Sequence, residues 1–156
     1  MSKAESAELI LKLYDLRREA TMREARSWVI SFFPESAAEI RQAMISAETS
    51  AYYRMVTTYW DMAASLVNHG AIDEEMFNDA QGEHTVVFSK IEPFLAELRE
   101  TMGNPKMLAN LETLIMRQPD AKEMLAGRRE MMKRMVEARR EMAKNCLLYT
   151  SPSPRD

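Results

Sequence analysis

The 156-residue chain has a single cysteine, Cys146, which excludes an intramolecular disulfide and a zinc site of paired thiolates and fits a reducing compartment. Glycine is nearly as scarce. Its four residues, Gly70, Gly82, Gly103 and Gly127, stand too far apart for a phosphate-cradling loop, and no Gly-x-Ser-x-Gly marks a nucleophile elbow. Those enzyme classes drop out. Long apolar runs are missing as well: a membrane span needs about 20 predominantly apolar residues, and every such window carries several charges. The charged segment Met1 to Glu8 is followed by only Leu9, Ile10 and Leu11 before Lys12, so no signal peptide is expected. The chain reads as cytoplasmic.

The last eleven residues, Cys146 to Asp156, follow in order one reading frame of a transposase adaptor used in preparing sequencing libraries. Residues 146–156 are therefore expected to be a non-native, disordered tail. On that reading the protein's own residues run to Asn145, as a truncated fragment, without any thiol and without Pro152 and Pro154.

What is present is helical. Apolar residues recur at spacings of three and four almost throughout, and the sparse β-branched runs argue against sheet. The fold class expected is all-α, an irregular bundle of about six to eight helices. Ser2 with Glu5, Thr21 with Glu24, Ser36 with Glu39 and Asp120 with Glu123 each have the spacing of a helix-opening capping box. The first helix is expected to bury Leu9, Leu13 and Leu16, and the second Ala25, Trp28, Val29 and Phe32 up to Pro34. The stripe Tyr52, Met55, Val56, Tyr59, Ala63, Leu66, Val67 predicts a central helix ending at Gly70. Asp73 offers a cap for a short helix through Phe77. Pro93 predicts a kink within a helix over residues 83–102, and Met107 to Ile115 supplies a further apolar face.

Charge divides the chain. Residues 1–119 hold 12 Lys/Arg against 18 Asp/Glu, whereas residues 120–145 hold 8 against 5 and five of the fourteen methionines. The organisation expected is a bundle body over 1–119, a basic, Met-bearing C-terminal helix over 120–145 that projects as its apolar positions thin out, and the tail.

Leu13-Tyr14-Asp15-Leu16-Arg17-Arg18, Arg23-Glu24-Ala25-Arg26, and Tyr59-Trp60-Asp61-Met62-Ala63 running on through Gly70 to Phe77 resemble an uncharacterised bacterial family of short helical domains, a domain of unknown function. The resemblance covers about residues 9–100. It implies the helical fold and no catalytic residue. Many other members of that family place a membrane helix before the domain, and none is expected between Met1 and Asn145 here.

A catalytic set is not legible, and no cofactor or metal site is expected. His69 and His84 enclose Asp73, Asp79 and Glu83, but neither histidine has the Glu-x-x-His spacing of a helical di-metal site. A helix-end position for His69 and a surface position for His84 are expected instead. The paired arginines are interleaved with acids on a net negative body, which disfavours nucleic acid. The expectation is a non-enzymatic interaction module that binds a protein partner or itself through the C-terminal helix, with Met124, Arg128, Met131, Met135 and Arg139 as contacts. Peripheral membrane contact is the weaker alternative, because that helix lacks aromatic anchors. The competing class is an enzyme or small-ligand site around Trp60, Asp61, His69 and Asp73; as packing residues instead, Trp60 is expected in the core or at its half-buried edge and Asp61 facing solvent.

Overall fold

Ser2 opens α1 (Lys3–Leu16) reciprocally: its hydroxyl accepts from the Glu5 N–H at 3.1 Å, and the Glu5 carboxylate accepts from the Ser2 N–H at 3.0 Å. That capping box is as expected. The buried face of α1 is Ser6, Ile10 and Leu13, continued by Arg17, while Leu16 is 51% exposed. The expected stripe was thus rotated by about one residue, because the position after Leu13 on this face is taken by a charged side chain that finds internal partners. In this structure, a computed structural model, residues 2–150 are described.

α2 (Ala20–Ser31) starts one residue before Thr21, since the Glu19 carboxylate caps the N–H groups of Thr21 and Met22 at 3.0 and 2.8 Å. It buries Met22, Ala25 and Val29, and Trp28 and Phe32 stack at its edge with centroids 4.8 Å apart. Ser36 caps α3 (Ala37–Ile45) through the Glu39 N–H. A turn then separates α3 from α4 (Ser50–Asn68), the helix against which α2, α3 and α8 pack. Tyr53, Val56, Thr57, Trp60, Ala63, Ala64 and Val67 are buried on α4, while Tyr52, Met55, Tyr59 and Leu66 are half-buried around them. Gly70, at φ +77, closes it in the left-handed region that glycine adopts without strain.

Asp73 caps α5 (Glu74–Ala80) through the Met76 N–H at 2.8 Å. α6 (Glu83–Ile91) follows and is unlike the others. Every residue from His84 to Ile91 is buried, so α6 is wrapped on all sides. Its one cation there, Lys90, donates to the carbonyls of Val29 at 2.5 Å and Ile30 at 2.9 Å. These lie at the end of α2, where the helix dipole is negative; Val29 also accepts from the Phe32 N–H at 3.2 Å. Burial pushes the Lys90 ammonium down to about 8.

Pro93 breaks the helix where expected. A single 3-10 turn (Glu92–Phe94) divides α6 from α7 (Leu95–Met102), which ends at Gly103 with φ +64. α8 (Ala109–Met116) buries Leu111, Leu114 and Ile115. The last helix, α9 (Ala121–Thr150), packs mainly on α6 through Leu125 and Met132. From Glu137 onward its residues are exposed, up to Tyr149. The fold is an all-α irregular bundle with a projecting C-terminal helix. Nine helices rather than eight are described because the Pro93 break makes two elements of one.

Helix continues through Cys146 to Thr150, where disorder was expected. Those positions bury little, with Leu147 and Leu148 at 71% and 76% exposure; they extend a helix already nucleated, which requires only one new backbone bond per residue. The remainder of the tail, 151–156, lies outside the described residues.

Candidate functional site

The densest chemistry in the body gathers around Glu83, the first residue of α6. Arg26 from α2 donates to its carboxylate from Nε at 2.9 and 3.0 Å and from Nη2 at 2.7 Å; Arg17, just past α1, reaches it at 3.4 Å. Trp60 Nε1 on α4 also donates to Glu83, at 3.3 Å. Three segments therefore converge on the one carboxylate of α6. The Arg17 guanidinium lies 5.3 Å from the Trp60 ring centroid and 4.9 Å from that of Tyr14, a cation–π placement that compensates for lost hydration. The Tyr59 hydroxyl donates to the Leu13 carbonyl beside it. Glu83 is fully engaged by donors, so it clamps helices together and does not stand ready as a general base.

His84 is next. It is 2% exposed, packed between Phe77 at 5.0 Å and Trp60 at 5.7 Å between centroids, and not at the surface as expected. Thr85, Ser89 and Lys90 of the same helix are buried with it, so the polarity of this segment could not place it. Burial, aided by the Arg128 charge, lowers its imidazole to about 4, and the ring is neutral at physiological pH. The expectation for His69 matches: it is exposed, ends α4, and its Nδ1 lies 2.8 Å from the Ser65 carbonyl.

The other residues of the competing site do not come together. Trp60 is fully buried in the core. Asp61, expected to face solvent, is half-buried and caps α8, accepting from the Leu111 N–H and from Asn110 Nδ2, each at 3.0 Å. Asp73 caps α5 and donates its own N–H to Ser6 Oγ at 3.0 Å. Among the described residues, no group of three or more His, Cys, Asp or Glu side chains is arranged to hold a metal ion.

The five contact residues expected on α9 divide into two sets. Met124 and Arg128 are half-buried and turned toward the body, Met124 against the core and Arg128 beside Gly82. Met131 and Met135 are 43% and 44% exposed, and Arg139 is also exposed. Met142, at 68%, extends the same exposed edge. The neighbour Arg129, which the sequence did not single out, seats the helix: it donates to the Ser89 carbonyl at 2.8 Å and pairs with Glu92 at 3.6 Å.

Domain of unknown function (DUF4760) is the family whose pattern matches this sequence, over residues 3–118. The chain belongs to that family. The DUF4760 match takes in α1 to α8 and stops short of α9, so the Glu83 cluster lies wholly within it and the exposed methionine edge wholly beyond it. No curated protein and no solved structure matches the chain. No helix among the described residues is long and apolar enough to cross a membrane.

Proposed function

We propose that the chain is a non-enzymatic helical interaction module, working in the cytoplasm, whose α9 docks on an acidic protein surface, here the body of a second copy. The observation that carries this reading is the exposed edge Met131, Met135 and Met142 on a helix that leaves the body. Thioether side chains adapt to irregular apolar surfaces, and spacings of four and seven are those of helix-in-groove anchors. Charge favours self-association: residues 133–145 hold five basic against two acidic side chains, whereas residues 1–119 hold 12 against 18. Opposite surfaces steer encounter and set register.

Sedimentation velocity over a concentration series tests the reading. Self-association that weakens with added salt, and that is lost when Met131, Met135 and Met142 are replaced together by Gln, is the expected result. A monomer at the highest soluble concentration rejects the second copy as partner. Binding of the monomer to anionic vesicles would instead favour a membrane surface.

A further inference from the structure

A cavity of about 470 Å³ lies between the α5–α6 junction and α9, lined in part by Gln81, Gly82, His84, Thr85, Gln118 and Arg128. Positive potential converges there. Gly82 is the N-cap of α6 and carries no side chain to bond the first-turn N–H groups, so the positive end of that helix faces the cavity uncapped. Both terminal nitrogens of Arg128 come within 3.9 Å of the position a Gly82 Cβ would take. Among the described residues Arg128 enters no ion pair. Behind this wall, two guanidinium groups, Arg17 and Arg26, share the single Glu83 carboxylate.

Two of the cavity-lining residues also carry a buried side-chain atom without a partner, His84 Nδ1 and Gln81 Nε2, and His84 is 2% exposed. A buried polar atom without a partner loses its hydration uncompensated, and such atoms are few in folded proteins. His84 Nε2 lies 3.5 Å from Thr85 Oγ1; in the tautomer in which that hydroxyl donates to Nε2, the proton of the neutral ring is on Nδ1.

We propose that this cavity binds a small carboxylate, held by Arg128 and the N-terminus of α6, with His84 Nδ1–H and Gln81 Nε2–H as further donors. Charge selects the class. One guanidinium and a helix end match a single negative charge, and Asp79, exposed on the cavity rim, repels a dianion such as phosphate. The site is assembled jointly by the family domain and α9, because Arg128 lies beyond residue 118. It is independent of self-association through Met131, Met135 and Met142.

Acetate and inorganic phosphate, titrated at constant ionic strength against chloride, are suitable probes, read by the ring-nitrogen resonances of His84. The expected result is a saturable acetate-dependent change at His84, absent with chloride, lost in Arg128→Gln and kept in Arg134→Gln. A second variant does not depend on removing a packed side chain: Gly82→Asp, at a backbone φ of −131 open to any residue, supplies an internal carboxylate beside Arg128. It is expected to raise Tm and abolish acetate binding. No saturable change in the parent chain, or an unchanged acetate response in Gly82→Asp, overturns the proposal. Saturation by phosphate alone overturns the carboxylate assignment.

Discussion

α6 and the outer turns of α9 are both regular helix, and they are held by opposite means. In α6 every side chain from His84 to Ile91 is enclosed, so its stability derives from burial, with Ser89 and Lys90 bonded internally while His84 Nδ1 has no partner. In α9 beyond Val136 every described side chain is exposed. There the helix rests on propensity and on charge spacing, since Lys133 with Glu137 and Glu137 with Glu141 stand four apart, one attractive and one repulsive. The difference teaches where sequence change is tolerated: substitutions in α6 are paid for by the whole fold, whereas those in outer α9 can alter binding without altering stability.

The widest contrast comes from truncating one large side chain in each region. Trp60→Ala, beside α6, removes a fully buried indole and one donor to Glu83, and urea unfolding should show a loss of about 3–5 kcal/mol. A fall under 1 kcal/mol would mean that the cluster around Glu83 is not packed as described. pH separates the regions next. His84 titrates lower when folded, at about 4 against 6.5, so between those values the unfolded chain binds more protons. Its stabilising contribution is therefore complete above pH 6.5 and is lost as pH falls toward 4. Between pH 7 and pH 5 unfolding free energy should drop by about 1–2 kcal/mol through this group, and His84→Gln should flatten the slope.

Glycine makes the same comparison with one substitution of opposite sign. Gly70→Ala forces alanine to φ +77 and should destabilise by about 1 kcal/mol. Gly127→Ala lies inside exposed α9 with nothing within 4 Å of the new Cβ, and should raise stability by about 0.5–1 kcal/mol. Thermal unfolding of the two variants decides it; equal signs would contradict the assigned backbone conformations. The smallest effect is expected from Met135→Ala, within about 0.5 kcal/mol in stability, with self-association weakened. Truncation before Glu137 should behave likewise, whereas a cut at residue 120 removes Leu125, fully buried in the body, and should unfold it.

Much of the scaffold was legible, since capping residues announce themselves locally. Ser2, Ser36 and Asp73 each cap the helix expected of them, and Gly70 and Pro93 end or break helices for purely local steric reasons. Faces were less legible. α4 meets neighbours on several sides, so its apolar surface is too broad for one stripe to give the rotation, and the expected face centred on Tyr52 and Tyr59 instead of Tyr53 and Trp60. α6 buries its polar residues along with its apolar ones, which hid His84. The polar cluster was invisible because its pairings span 57 to 66 residues of chain between Arg26 or Arg17 and Glu83. Nothing in local spacing marks a charged residue as one that will be buried with a partner. Arg17 carried the sole available hint, a cation four residues after Leu13 on the face of α1.

Arg129 fixes α9 to the body near its base, through Ser89 and Glu92, and the last enclosed side chain is Met132. From there to Asn145 the helix runs roughly 20 Å at about 1.5 Å per residue. A tilt of about 10° at that anchor displaces the far end by about 3.5 Å on the same geometry. Mechanically, the helix is a rod mounted on a short bearing, and a sub-ångström adjustment at Arg129 arrives at Met142 magnified severalfold.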